Sequence, residues 1–322
     1  MRLFGSRLIL AVIGSACSIL AAGTSIAETK IAIGLPVSTY APFVPVYAAR
    51  DLGIFAKNGI NAEITAFRSG TVAQEALAAG SVDMIDNSPI GAARGVQKGV
   101  KQKIVAASVL TLTGWHIMVL PDSPIKSVKD LEGKKVAITA AGGLTHFYLL
   151  WATQHAGAQN VRAIPVGGAG LVPALKTKQT DASVMHAPLG VALMMEKQGR
   201  SIFDIGKDIP PNAPDVWVAT QDLIDKNPKA IEATLKSIYQ AVEYMKSHKA
   251  ESMALFKKYS SESDEKIITW DQEELLPTLP TSAMISKETI ATALSLGKIG
   301  GLTDLPSVDE IFTDRFASVS AH

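Results

Sequence analysis

The chain has 322 residues, of which 47% are hydrophobic and 19% are charged, and its Lys and Arg residues (31) nearly balance its Asp and Glu residues (30). This apolar content suffices for one large or two medium-sized domains and excludes an intrinsically disordered chain. A formal charge of +1 does not provide the concentrated basic surface that nucleic-acid binding requires. The single cysteine, Cys17, excludes a disulfide scaffold, a structural zinc cluster and an iron–sulfur site.

The first 27 residues have the pattern of a secretory signal peptide. Two arginines precede an uncharged apolar stretch over residues 8–22, and small residues stand at Ser25 and Ala27. This order predicts export with cleavage after Ala27. An uncleaved anchor is the alternative, while a lipoprotein would use Cys17, which lacks the usual leucine three residues before it. No later uncharged run approaches the ~20 residues that a membrane span needs.

Short β-rich runs then alternate with helical segments, which is typical of α/β folds with mostly parallel sheets. The first half contains predicted strands at 30–34, 62–67 and 82–85, separated by predicted helices at 46–56 and 71–79. The same order returns about a hundred residues later, with predicted strands at 135–139 and 160–166 and a predicted helix at 145–156.

Glycine and aspartate residues also recur at matching positions in the two halves. Gly59 is separated from Gly157 by the same number of residues as Asp83 is from Asp181. A repeat of this length indicates a domain-sized unit rather than a solenoid. The alternative is that any two α/β halves look alike, but four elements recur here in the same order, the fourth being the segment 168–175, which mirrors 69–77. We therefore expect two similar lobes.

The segments that follow each half indicate how the lobes are connected. Residues 111–116 carry no charge and continue into a strand-like run at 117–120, which favours an extended crossover. Residues 209–214 break regular structure before a predicted strand at 216–220. The remainder is mostly helical, with predicted helices at 230–247, 251–259 and 287–296. Two crossings between two lobes imply a ligand cleft that a hinge closes.

Catalytic motifs are missing from the sequence. It contains no phosphate-binding P-loop, no H-E-x-x-H pair and no nucleophile elbow. The Gly168–Gly170 turn has Pro173 where a dinucleotide site has its third glycine. No two of the six histidines have metal-ligand spacing. We therefore expect neither a cofactor nor a metal, and the case for an enzyme is weak.

Small polar loops follow the predicted strands, where open α/β sheets bind ligands. The turn Gly142–Thr145 is the most informative, because a glycine-rich strand-to-helix junction lets backbone N–H groups approach an anion. An ordinary helix cap by Thr145 is the alternative. His146 can add a donor or a positive charge to this turn, and Arg68 is the only cation in the matching loops. Tyr40, Trp115 and Trp217 could stack on a ligand or pack in the core.

Four stretches carry a family resemblance, namely residues 45–60, 76–83, 128–136 and 143–146. In them the chain resembles the periplasmic solute-binding proteins of ABC importers for sulfonates, taurine and nitrate, whose superfamily includes binders of thiamine-precursor pyrimidines. The resemblance implies an α/β, two-lobed type II periplasmic-binding-protein-like fold, each lobe a mixed sheet flanked by helices. Its first lobe would comprise residues 28–110 and 215–322, and its second lobe residues 111–214.

The resemblance also implies a function. The chain would be a monomeric periplasmic protein, not an enzyme, that captures a small organic anion and delivers it to a membrane permease and its ATPase. The alternatives are a binder of a pyrimidine-like heterocycle, or an enzyme or sensor of the same fold. The residues 186–188 depart from the usual pattern, in which an acidic or aromatic residue precedes the proline, and this disfavours taurine. Together with Trp115, which could stack on a ligand, the predicted ligand-binding residues are Ser38, Tyr40, Ser69, Thr71, Asn87, Ser88, Gly143, Leu144, Thr145, His146 and His186.

Overall fold

A computed structural model describes residues 28–260, 262–299 and 301–322. The predicted signal peptide, residues 1–27, lies outside the described residues. Within these ranges, none of the helices combines the length and the hydrophobicity of a membrane span.

The strands are β1 (Thr29–Leu35), β2 (Ile60–Ala66), β3 (Met84–Asn87), β4 (Gln102–Val109), β5 (His116–Val119), β6 (Lys135–Ile138), β7 (Arg162–Pro165), β8 (Ala182–Met185), β9 (Arg200–Asp204) and β10 (Asp215–Thr220). The helices are α1 (Val44–Asp51), α2 (Ile54–Lys57), α3 (Gly70–Ala78), α4 (Pro89–Gln97), α5 (Leu144–His155), α6 (Leu171–Lys176), α7 (Leu189–Met195), α8 (Ile205–Asp208), α9 (Gln221–Lys226), α10 (Pro228–Ser247), α11 (Lys249–Tyr259), α12 (Glu265–Trp270), α13 (Lys287–Ile299) and α14 (Val308–Ile311).

The strands form two mixed sheets of the same design. The first has the order β2-β1-β3-β10-β4 and the second the order β7-β6-β8-β5-β9. In each sheet the first three strands are parallel, and the fourth is antiparallel to both of its neighbours. The chain passes from the first sheet to the second between Val109 and His116, and returns between Asp204 and Asp215. The predicted two-lobed α/β architecture with mixed sheets is confirmed.

The two aspartates of the repeat make the same contact in each lobe. The Oδ2 atom of Asp83 accepts a hydrogen bond from the backbone N–H of Ala32 at 2.8 Å. The Oδ2 atom of Asp181 accepts one from the N–H of Lys135, also at 2.8 Å. Asp83 thereby ties the start of β3 to β1, and Asp181 ties the start of β8 to β6.

Two helix predictions differ from the structure. The single helix predicted over 46–56 is wrong, because the chain forms α1 and α2 with a break at Gly53, whose φ of +67° cannot continue a right-handed helix. Helix α4 was not predicted, although Ser88 followed by Pro89 is a typical helix start. The hydroxyl of Ser88 accepts a hydrogen bond from Gly91 N–H, as an N-cap does.

The lobes share apolar packing where the chain crosses between them. Tyr40 from the first lobe, Trp115 from the crossover and Tyr148 from the second lobe belong to one buried cluster. Trp217 is also fully buried, at 1% exposure, on β10 within this core. Its burial assigns Trp217 to packing rather than to stacking on a ligand.

Candidate functional site

A cleft with about 950 Å³ of space, partly open to solvent, lies between the lobes. One wall comes from the loop after β1, from α3 and α4, and from the start of β10. The other wall comes from Trp115, from the turn Gly142–Thr145 and from His186. The carboxyl ends of β1, β3, β6 and β8 thus face the same space from both lobes, as expected for ligand sites in open α/β sheets.

Three helices begin at this cleft. Gly70 and Thr71 open α3, Ser88 caps α4, and Leu144 opens α5, and all four residues line the cleft. Each helix start carries a partial positive charge and backbone N–H groups without intrahelical acceptors. Their convergence makes the cleft favourable for negative charge.

The turn before α5 leaves its donors available. Among the described residues there is no acceptor for the backbone N–H groups of Leu144 and Thr145. The hydroxyl of Thr145 lies 2.9 Å from both the backbone N and the Oγ1 of Thr139, so it holds the turn in place. Nδ1 of His146 accepts a hydrogen bond from Gly142 N–H at 3.0 Å. Burial, with Arg94 nearby, lowers the pKa of His146, so this ring shapes the turn as a neutral acceptor.

The cations at the cleft come from helix α4. Arg94 and Lys98 line the cleft, and Nη1 of Arg94 donates a hydrogen bond to the carbonyl oxygen of Gly142 across it at 2.7 Å. Neither cation forms a salt bridge with a carboxylate of the described residues. Arg68, the cation expected from the loops, is exposed and does not line the cleft. Its backbone oxygen instead accepts a hydrogen bond from Gly168 N–H in the other lobe.

The floor of the cleft is aromatic. Nε1 of Trp115 donates a hydrogen bond to the hydroxyl of Tyr40 at 3.0 Å, and both rings contact His186 edge-on. Burial lowers the pKa of His186 to about 4, so this ring is neutral near pH 7. Its Nδ1 lies 3.0 Å from the carbonyl oxygen of Ala187, which places the ring proton on Nδ1 and leaves Nε2 as an acceptor.

Two carboxyl groups lie beneath this floor. Asp86 is fully buried, and Asp215 is 5% exposed and lines the cleft. Ser108 donates a hydrogen bond to Asp86 Oδ2, whereas Oδ1 has no donor among the described residues. Burial raises the pKa of both groups, that of Asp215 to about 7. The neighbouring Asp215 raises the pKa of Asp86 further.

The structure gathers most of the predicted site residues at the cleft. The predicted residues in its lining are Tyr40, Thr71, Asn87, Ser88, Trp115, Gly143, Leu144, Thr145 and His186. Three others are not part of the lining. Ser38 is exposed, the hydroxyl of Ser69 caps α3 by accepting from Val72 N–H, and His146 is turned to Gly142 as described above.

Sequence reasoning missed six polar residues of the lining, which are Gln74, Glu75, Arg94, Lys98, Thr139 and Asp215. Gln74, Glu75 and Arg94 lie on α3 and α4, and Lys98 directly follows α4. The Ser-Pro helix start at Ser88 would have revealed α4, but nothing local shows which of its faces meets the cleft. The described residues contain no group of three or more His, Cys, Asp or Glu side chains that could hold a metal ion.

A family model described as NMT1/THI5 like matches residues 41–252. The chain belongs to the NMT1/THI5-like family. The predicted resemblance to periplasmic substrate-binding proteins of ABC importers is confirmed by its relatives. The taurine-binding periplasmic protein of Escherichia coli (strain K12) is 28% identical over 236 residues, which cover 71% of this chain and 72% of that one.

Two further comparisons agree with this family assignment. A protein of Brucella abortus (strain 2308), described as a candidate binding protein, is 26% identical over 215 residues. The match covers 66% of each chain, so this chain spans just under two thirds of that relative's length. The alkanesulfonate-binding protein SsuA from Xanthomonas axonopodis pv. citri, solved bound to MOPS, has a TM-score of 0.77 at 18% identity, covering 89% of this chain and 99% of that one. This last likeness shows a shared fold.

Proposed function

We propose that this protein is the solute-binding subunit of an ABC importer and captures a small organic anion, a sulfonate or a carboxylate, between its lobes. The observation that carries the proposal is the convergence of three helix N-termini and two cations, Arg94 and Lys98, on one cleft. Such an arrangement stabilises a negative charge without a metal ion. The protein would act as a monomeric binding protein and not as an enzyme.

The transport role rests on the relatives. The taurine-binding relative is periplasmic by name, and this chain has the sequence of a signal peptide over residues 1–27. We place the mature protein in the periplasm after cleavage behind Ala27. Its partners there would be an ABC permease and, through it, the ATPase.

The proposed anion contacts centre on the turn before α5. The N–H groups of Leu144 and Thr145 would donate to the anion from the second lobe, and Arg94 would donate from the first. Thr71 and Ser88 would add hydroxyl groups at the starts of α3 and α4. A ligand held in this way contacts both lobes, so binding stabilises the closed arrangement.

Calorimetric titration of the mature chain with ethanesulfonate and acetate tests the proposal. Gly143→Val should abolish binding, because the side chain covers the N–H groups of the turn. The backbone at Gly143, with φ −92° and ψ 177°, is open to valine, and a Cβ atom there would lie 3.3 Å from the backbone oxygen of Ala140, so a shift of a few tenths of an ångström is needed. Ala141→Val, an exposed change outside the lining, should bind as the unchanged chain does. Equal affinity of both variants would place the anion elsewhere.

A second candidate ligand is a neutral heterocycle of the aminopyrimidine type. The observation that favours it is the aromatic floor of Tyr40, Trp115 and His186 with the protonatable carboxyl of Asp215 beside it. A heterocycle would bind there by stacking and by hydrogen bonds to Asp215. Asp215→Asn would change the affinity for such a heterocycle, whereas Gly143→Val would not. Native mass spectrometry of the protein from its own host would identify which ligand it carries.

A further inference from the structure

The cleft continues beyond the helix starts into a groove between α3 and α4. On α3 it is lined by Thr71, Gln74, Glu75 and Ala78, and on α4 by Ser88, Gly91, Arg94, Gly95 and Lys98. These positions recur every three to four residues, so each set forms one face of its helix. Seven residues of α3 correspond to about 10 Å along the helix axis. The groove is therefore longer than a two-carbon anion requires.

An amide network forms one wall of the groove. A Cβ atom on Gly95 would lie 2.3 Å from Nε2 of Gln102 and 2.7 Å from Nε2 of Gln74, so this glycine makes room for the two amides. Gln74 and Gln102 donate to each other's side-chain oxygens at 2.7 and 3.2 Å, and Asn87 donates to Gln74 at 3.1 Å. These paired amides fix the groove wall before any ligand arrives.

Two cations lie at different depths along the groove. Arg94 lies near the turn Gly142–Thr145, and Lys98 lies one helical turn further out, about 6 Å along the axis. Val100 and Ala78 give the outer end an apolar lining next to Lys98. Glu75 is the one carboxylate among the described residues that line the α3–α4 groove. Two cations against one acid leave the groove with a net positive charge.

We propose that the ligand is an elongated organic dianion, whose first anionic group binds at the α5 turn and Arg94 and whose second binds at Lys98. This inference rests on the proposed function, because it extends the same anion site. The carbon chain between the two groups would run along the α3–α4 groove, over the amides that cover Gly91 and Gly95. A dicarboxylate or sulfocarboxylate of about six carbons spans the distance between the two cations.

Titration calorimetry with three probes of equal length tests this proposal: hexanoate, adipate and 6-aminohexanoate. Adipate should bind up to about fivefold more tightly than hexanoate, the gain of one added ion pair at a partly exposed site, and 6-aminohexanoate more weakly than hexanoate. Lys98→Gln should lower the affinity for adipate more than that for hexanoate. Glu75→Gln should raise the affinity for adipate, because it removes a like charge. Lys101→Gln, an exposed change outside the lining, is the control.

Two variants test the path of the carbon chain. Ala78→Leu fills the outer end of the groove and should weaken the binding of adipate. Ala79→Leu, at an exposed position outside the lining, should leave the affinity for adipate unchanged. Equal affinity for hexanoate and adipate, or equal losses with Lys98→Gln, would overturn the second anion subsite and leave the proposed function standing. If none of the three carboxylates and no sulfonate binds, the proposed function itself fails, and the dianion proposal with it.

Discussion

Arg94 on helix α4 donates a hydrogen bond across the cleft to the carbonyl oxygen of Gly142, with Nη1 and O separated by 2.7 Å. Gly142 is the residue whose N–H is held by His146, at 3.0 Å. A cation of one lobe is thereby anchored to the turn of the other lobe that offers two free N–H groups. When the lobes are in this arrangement, the contact therefore places the positive charge of Arg94 next to the proposed anion site.

Replacing Arg94 by alanine should weaken anion binding about 10- to 100-fold, since a hydrogen bond to a charged group is worth about 1.5–3 kcal/mol. It should also favour the open arrangement, because the contact to Gly142 is lost. Calorimetry with ethanesulfonate measures the first effect and small-angle scattering the second. Arg94→Lys, which keeps the charge without the planar fork, should recover only part of the affinity. Full affinity of Arg94→Ala would exclude this residue from the site.

The affinity for a simple anion should fall as the pH rises through about 7. The pKa of Asp215 is raised to about 7 by burial, so its carboxyl is neutral below that pH and repels an anion above it. Burial lowers the pKa of His186 to about 4, so this ring gains no proton in this range, and burial also lowers the pKa of His146. Calorimetry between about pH 6 and pH 8 should show a loss of about fivefold or more, since two like charges about 4 Å apart repel by ~1 kcal/mol even in water.

Asp215→Asn should remove this pH dependence, because the amide stays neutral throughout. A rise in affinity with pH in the unchanged chain would contradict the prediction. It would indicate instead a ligand with a positive charge next to Asp215.

Asp271→Asn should stabilise the fold at neutral to alkaline pH. Asp271 is fully buried, its Oδ1 has no partner among the described residues, and burial raises its pKa to about 8. Between about pH 4 and pH 8 the folded state holds a proton that the unfolded state releases, so the free energy of unfolding decreases as pH rises across this window. Above pH 8 both states are ionised and the slope disappears.

Thermal denaturation should therefore show a Tm increase of roughly 2–6 °C for Asp271→Asn at pH 8, and a smaller one at pH 5. Asp314→Asn, at an exposed position, should change Tm at neither pH. An equal increase for Asp271→Asn at both pH values would show that the effect is not due to the ionisation of Asp271.

Asp83→Ala should cost more stability than Asp181→Ala, although both aspartates make the same contact. The Asp83–Ala32 hydrogen bond is partly buried, whereas the Asp181–Lys135 bond is exposed. We expect losses of about 1–2 kcal/mol for Asp83→Ala and of about 0.5 kcal/mol for Asp181→Ala, measured by urea denaturation. Equal losses would contradict the role of burial, and Asp122→Ala on the surface is the control.

The sequence by itself indicated two similar α/β lobes and the strand–helix pattern that recurs in them. Hydrophobic alternation and the repeated glycine and aspartate positions are local signals, and Asp83 and Asp181 keep their role in both sheets. The glycine-rich turn before α5 was likewise readable, because small residues at a strand-to-helix junction have a direct conformational meaning. Local signals of this kind predict the conformation of the backbone.

Only the tertiary structure decided which side chains share the cleft. Arg94 and Lys98 are ordinary helix residues in the sequence, and the packing of α4 on α3 turns their face inward. Asp215 follows a segment remote from β3, and the antiparallel pairing of β10 with β3 brings it to Asp86. The pKa of Asp215 is raised by burial, which the residues next to it along the chain do not encode.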